Sequence, residues 1–230
     1  MVAFPISYAL FFSLLLLAKK SNANRIVTDD GLLITSPHLL WLHLAGIILF
    51  GLVPFWSASG EKYLFFYPES WQKVPTLVSL VLVVLTVLLS QRLGAKQAIA
   101  FVQDRTTPSL SYLTTYFLLR TLFIAAYEIW FRGFLLQSSM QAMDLGYAIG
   151  LNLVLYTFLH TVNNKCEMLL CLPFGALLCI LCNWQGTVWP AVLIHLALTL
   201  GYEFVLVRKC LTQTPLYEDP RHRRIGLSRS

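Results

Sequence analysis

The run Ala126-Tyr127-Glu128-Ile129-Trp130-Phe131-Arg132-Gly133-Phe134-Leu135-Leu136 sets a carboxylate and a guanidinium inside an otherwise apolar stretch. Glu128 and Arg132 stand four residues apart, so on a helix they share a face and can pair, which lowers the cost of holding both charges in lipid. Such a pair has two explanations. It can lock helices together as pure structure, or it can belong to a site. His160 and His195, lone polar groups in later apolar segments, favour the second.

Of the 230 residues, 57% are apolar and only 12% charged, and the mean hydropathy is +0.67. That profile excludes an ordinary soluble domain and defines an integral membrane protein. Several apolar runs approach the ~20 residues a helix needs to cross a bilayer, and none alternates as a barrel strand would. The expected fold is all-α, a polytopic membrane helical bundle of about seven transmembrane helices. The net charge of +6 does not point to nucleic acid, because the lysines and arginines gather at the ends of apolar runs, where topology and anionic headgroups account for them. Cys179 and Cys182 form a C-x-x-C, but mid-segment and without a second pair. They and Cys166, Cys171 and Cys210 read as small packing residues rather than zinc or redox groups.

In chain order, Phe4 to Ala18 is closed by Lys19 and Lys20; its charge is at the wrong end for a signal peptide, so it reads as a first membrane helix. A turn-rich linker with Arg25, Asp29, Asp30 and Gly31 follows, then a second span from His38 to Trp56. The segment 57–75 carries Tyr63, Phe65, Phe66, Tyr67 and Trp71, an expected interfacial loop. Further spans are expected over Pro75–Ser90, Ser109–Met140, Gly146–Val162, Glu167–Cys182 and Thr187–Val207, with a basic, poorly ordered tail over Arg208–Ser230.

Charge orients this arrangement. With the loop after the first span inside, the inner side collects Lys19, Lys20, Arg25, Arg92, Lys96, Arg105, Lys165, Arg208, Lys209, Arg221, Arg223, Arg224 and Arg229, while the outer loops keep Lys62 and Lys73. The expectation is an N-terminus outside and a C-terminus in the cytoplasm.

The later half resembles the CPBP family of intramembrane proteases, the group that includes CAAX prenyl endopeptidases and bacteriocin-processing or immunity proteins. That family carries Glu-Glu-x-x-x-Arg, Phe-x-x-x-His and His-x-x-x-Asn in order on successive core helices. Here they stand as Tyr127-Glu128-Ile129-Trp130-Phe131-Arg132, as Tyr156-Thr157-Phe158-Leu159-His160, and as His195-Leu196-Ala197-Leu198-Thr199, the last preceded by a matching run from Gln185. Phe174-Gly175 also fits. The resemblance covers residues 116–202 and implies a division into N-terminal membrane helices over 1–108, a protease-like core over 109–208 and a tail over 209–230. It departs from the family at two positions: Tyr127 stands where the first glutamate belongs and Thr199 where the asparagine belongs.

Peptide hydrolysis in lipid needs a base to deprotonate water, a donor for the oxyanion and a water-filled cavity. The resemblance implies that the first glutamate's position, here Tyr127, and His160 activate the water, and that His195 and the position of Thr199 stabilise the oxyanion. From the chemistry of the residues present, Glu128 or His160 is the candidate base and His195 the donor, with Thr199 on the same face and Arg132 the partner of Glu128. A neighbouring helix position points about 100° away, so Glu128 replaces the missing glutamate only if the helix is rotated or irregular. Glu167, at a helix start, is a further candidate or simply a dipole partner. Zinc held by Glu128, His160 and His195 is an alternative, although no His-Glu-x-x-His pair accompanies it and no bound metal is expected.

Three functions fit these residues. The first is an intramembrane endopeptidase acting on a membrane-embedded or lipidated peptide in the lipid bilayer of a bacterial inner membrane. The second is a catalytically inactive relative that binds such a peptide, as an immunity factor or chaperone. The third is a small transporter or proton relay, for which no internal repeat is evident.

Overall fold

The computed structural model describes residues 3–27, 34–57, 71–98, 108–162 and 165–212. The aromatics Tyr63, Phe65, Phe66 and Tyr67, the acidic turn at Asp29 and Asp30, Lys62, Arg105 and the tail beyond Thr212 lie outside them. Among the described residues the chain is an all-α bundle of seven helices. They are α1 (Ala3–Lys20), α2 (37–57), α3 (Lys73–Ala98), α4 (110–140), α5 (Leu145–Leu159, continued by a 3-10 turn His160–Val162), α6 (Lys165–Gln185) and α7 (Trp189–Thr212).

Local chemistry sets several of the ends. Ser36 caps α2, its hydroxyl accepting from the His38 N–H at 3.2 Å with Pro37 at the first helical position. Ser109 caps α4 by accepting from the Tyr112 N–H at 3.2 Å. Between α6 and α7, Gly186 takes φ +72°, a left-handed position that stops the helix while its N–H donates to Cys182.

Five of the seven helices are long and apolar enough to cross a membrane: Pro37–Trp56, Lys73–Gln97, Leu145–Val162, Lys165–Gln185 and Trp189–Thr212. The other two expected spans are helical, but α1 and α4 do not meet that measure. In α4 the cause is plain, since Arg120, Glu128 and Arg132 lie along it. The bundle buries charges among an apolar core and is apolar outside. Glu128 and Arg132 are fully buried, while Leu77, Leu80, Val84, Leu85 and Leu88 of α3 face outward. Trp56, Trp71, Tyr147, Trp184 and Trp189 are exposed at helix ends, as residues of a membrane interface are.

Helix α3 packs mainly along α7 by close approach of small residues. A Cβ at Gly94 would lie 2.9 Å from the Tyr202 carbonyl oxygen, and one at Gly201 would collide with the Ser90 hydroxyl. On the other side of the bundle α1 and α2 cover the middle of α4. Tyr8 stacks on Trp130 at 5.7 Å and donates its hydroxyl to the Leu155 carbonyl at 2.7 Å. Phe50 of α2 lies 5.2 Å from Trp130 and 5.7 Å from Tyr127.

Candidate functional site

Helix α4 is regular up to Glu128 and then widens into a π turn over Ile129–Leu135. The Leu136 N–H donates to the Phe131 carbonyl, five residues back, and the same carbonyl accepts from Asn152 Nδ2 at 2.6 Å. Asn152 is fully buried on α5, so the amide fastens the widened turn to its neighbour. A π turn interrupting an α-helix is uncommon and occurs often at functional sites. Here it supplies the irregular helix that sequence reasoning required beside Glu128. A second π turn, Ile47–Leu52 of α2, presents Phe50 to the first.

The expected ion pair is present. Arg132 Nη1 lies 3.0 Å from Glu128 Oε2, and neither side chain is exposed at all. The guanidinium also lies over the Tyr156 ring, 4.3 Å from its centroid. Gly175 of α6 leaves room for this stack, since a Cβ there would come within 3.3 Å of both Arg132 Nη2 and the Tyr156 ring, and within 2.8 Å of Leu153. The other oxygen of Glu128 meets His195 Nδ1 at 2.5 Å. Both carboxylate oxygens are therefore engaged, one by α4 itself and one by α7.

His160 opens the 3-10 turn at the end of α5 and donates from Nδ1 to the Tyr156 carbonyl at 2.9 Å, which leaves Nε2 as the acceptor. The last carbonyl of that turn, on Val162, accepts from the Lys19 ammonium of α1. Tyr127 lies beside both histidines. Its ring centroid lies 6.0 Å from that of His195 and 6.5 Å from that of His160, edge-on to both. Its hydroxyl is buried with no hydrogen-bond partner. Phe174 flanks His195 from α6 at 5.6 Å.

Glu128, Arg132 and His195 are thus in direct contact, and His160 joins them across Tyr127. Thr199 lies one turn beyond His195 on α7, half-buried. Glu167 lies apart from this cluster and pairs with Arg25 at 3.0 Å, which ties the linker after α1 to the start of α6. Among the described residues no group of three or more His, Cys, Asp or Glu is arranged to hold a metal ion. Cys179 and Cys182 are buried free thiols; Cys179 donates to Asn152 Oδ1 at 3.4 Å and Cys182 to the Val188 carbonyl at 3.8 Å.

Sequence reasoning missed Asn152 and a second, partly buried group of polar side chains, His43, Tyr116, Arg120 and Glu203. The signal for Arg120 and Glu203 was there, since each is a lone charge in an apolar run, as Glu128 is.

Residues 109–201 match the family described as type II CAAX prenyl endopeptidase Rce1-like. This stretch, which holds all of α5 and α6 and the Glu128–His195 contact, is similar to the CPBP/Rce1-like domain and is consistent with the CPBP superfamily. Comparison with curated proteins and with solved structures gives no match.

Proposed function

We propose that this chain is a membrane protein of the CPBP fold that holds a membrane-embedded peptide segment without cutting it. The supporting observation is the Tyr127 ring. The ring lies beside His160 and His195, its centroid 6.5 and 6.0 Å from theirs, at the position where the family resemblance puts a carboxylate to activate water. A phenol at that position offers no base at neutral pH. The adjacent carboxylate is committed elsewhere: Glu128 is wholly buried, with one oxygen against His195 and the other in an ion pair with Arg132 that no hydrogen bond closes. We place all seven helices across the bilayer, the N-terminus outside and the C-terminus in the cytoplasm, in accord with the distribution of lysine and arginine.

One observation favours a second reading, in which the chain still hydrolyses peptides. The Glu128–His195 contact at 2.5 Å is a carboxylate–imidazole pair of the kind that runs general acid–base chemistry. Photo-crosslinking separates binding from both. With a photoreactive amino acid at Phe174, beside His195, purified protein from native membranes is expected to carry an intact crosslinked peptide. Recovery of lipid adducts only would overturn the peptide-holding reading.

A further inference from the structure

A second polar layer joins α4 to α7 away from the Tyr127 cluster. Glu203 Oε1 accepts from Arg120 Nε at 3.1 Å and from Arg120 Nη2 at 2.8 Å, while Glu203 Oε2 accepts from the Tyr116 hydroxyl at 2.9 Å. The remaining arm of Arg120 is 3.3 Å from His43 Nε2, and His43 Nδ1 lies 2.6 Å from the Leu39 carbonyl. One tautomer satisfies both contacts of His43: Nδ1–H donates to the carbonyl and Nε2 accepts from the guanidinium. Every arm of this layer is engaged, from three helices.

Its spacing relates it to the site. Arg120 precedes Glu128 by eight residues on α4, and Glu203 follows His195 by eight on α7. The two helices run antiparallel, so the ion-paired layers are stacked along one seam, about 12 Å apart at 1.5 Å per residue. His195, Thr199 and Glu203 recur every four residues and share the face of α7 that meets α4. Thr199 therefore lies midway between the layers.

Against α3, α7 is held by close approach at Gly94 and Gly201, and the nearby Ser90 hydroxyl bonds back to Val87 of its own helix. A bond from the Tyr202 hydroxyl to Gln97, 2.6 Å and exposed, is a directional contact there. Surfaces of small residues fix how near two helices lie, whereas hydrogen-bonded charges in a low-dielectric interior fix where along the axis they meet.

We propose that the Arg120–Glu203 layer is a register lock that holds α7 where His195 reaches Glu128, which makes Arg120 and Glu203 positioning residues for a site that neither touches. The proposal is independent of whether the site holds or cuts a peptide. It is tested by 15N-histidine NMR of the full chain in lipid nanodiscs, with the His195 signal assigned by its loss in His195→Asn. Glu128→Gln gives the position of that signal when the contact is broken. Glu203→Gln and Arg120→Met are expected to move it at least halfway there, Tyr116→Phe to move it less in the same direction, and Arg120→Lys to leave it nearest the wild type. A Glu203→Gln protein that melts lower but keeps the wild-type His195 signal overturns the lock. Should that variant not fold, an unmoved His195 signal in Tyr116→Phe overturns it equally, because the phenyl ring keeps the packing and removes only the hydrogen bond to Glu203.

Discussion

Asn152 Nδ2 donates to the Phe131 carbonyl at 2.6 Å, and this bond from α5 fastens the π turn of α4 to its neighbour. The carbonyl already accepts the Leu136 N–H across the wider turn, so the amide fills its second lone pair at a fully buried position. Glu128 sits at the last α-helical residue before this turn and Arg132 in its middle. The geometry of the ion pair is thereby coupled to a residue that contacts neither charge.

Asn152→Leu is expected to leave that buried carbonyl with one bond and to destabilise the protein by about 1–3 kcal/mol. Hydrogen exchange followed by mass spectrometry should show the loss concentrated over residues 129–136, with α7 unaffected.

Arg132→Met removes one partner of a buried pair and leaves Glu128 as an uncompensated carboxylate beside His195. A loss of about 3–5 kcal/mol is expected, read as a lower midpoint of thermal unfolding in detergent. Substituting both, Arg132→Met with Glu128→Leu, should recover much of it, since a matched apolar pair carries no stranded charge.

Gly175→Ala places a methyl group against Leu153, the Arg132 guanidinium and the Tyr156 ring. Overpacking of this kind costs about 1–3 kcal/mol. The same thermal measurement checks it, and Gly150→Ala on α5, where a Cβ meets nothing within 4 Å, serves as the control.

Topology has its own test. A reporter active only in the cytoplasm should work when fused after Arg105 or at Ser230 and stay silent when inserted near Gly60, as the lysine and arginine distribution requires. The reverse pattern removes the seven-span arrangement.

Much of the site was legible because lipid makes lone polarity informative. Glu128, Arg132, His160 and His195 stood out against apolar neighbours, and the structure brings the first two and His195 into contact. Arg120 and Glu203 carried the same signal, but fell outside the motifs that drew attention to the others. The π turn was not legible. Ile129 to Leu135 has no proline, and its single Gly133 marks no helix end, so nothing in the composition distinguishes this turn from ordinary helix. The partners that meet it, Phe50 of α2 and Asn152 of α5, are distant in sequence. Seven helical segments were legible, and five of them are long and apolar enough to cross a membrane; α4 is not among those five because it holds the charges of both polar layers.

With Tyr127 in the place of the water-activating group, the chain holds peptides without cutting them, and peptide hydrolysis in proteoliposomes is the decisive test. Wild-type protein, Tyr127→Glu, Tyr127→Phe and Glu128→Gln are each incubated with a library of membrane and prenylated peptides, and products are identified by mass spectrometry. No products are expected from wild type, Tyr127→Phe or Glu128→Gln, and cleavage, if any variant shows it, from Tyr127→Glu alone. Cleavage by the wild type that Glu128→Gln abolishes and Tyr127→Phe leaves intact would contradict it.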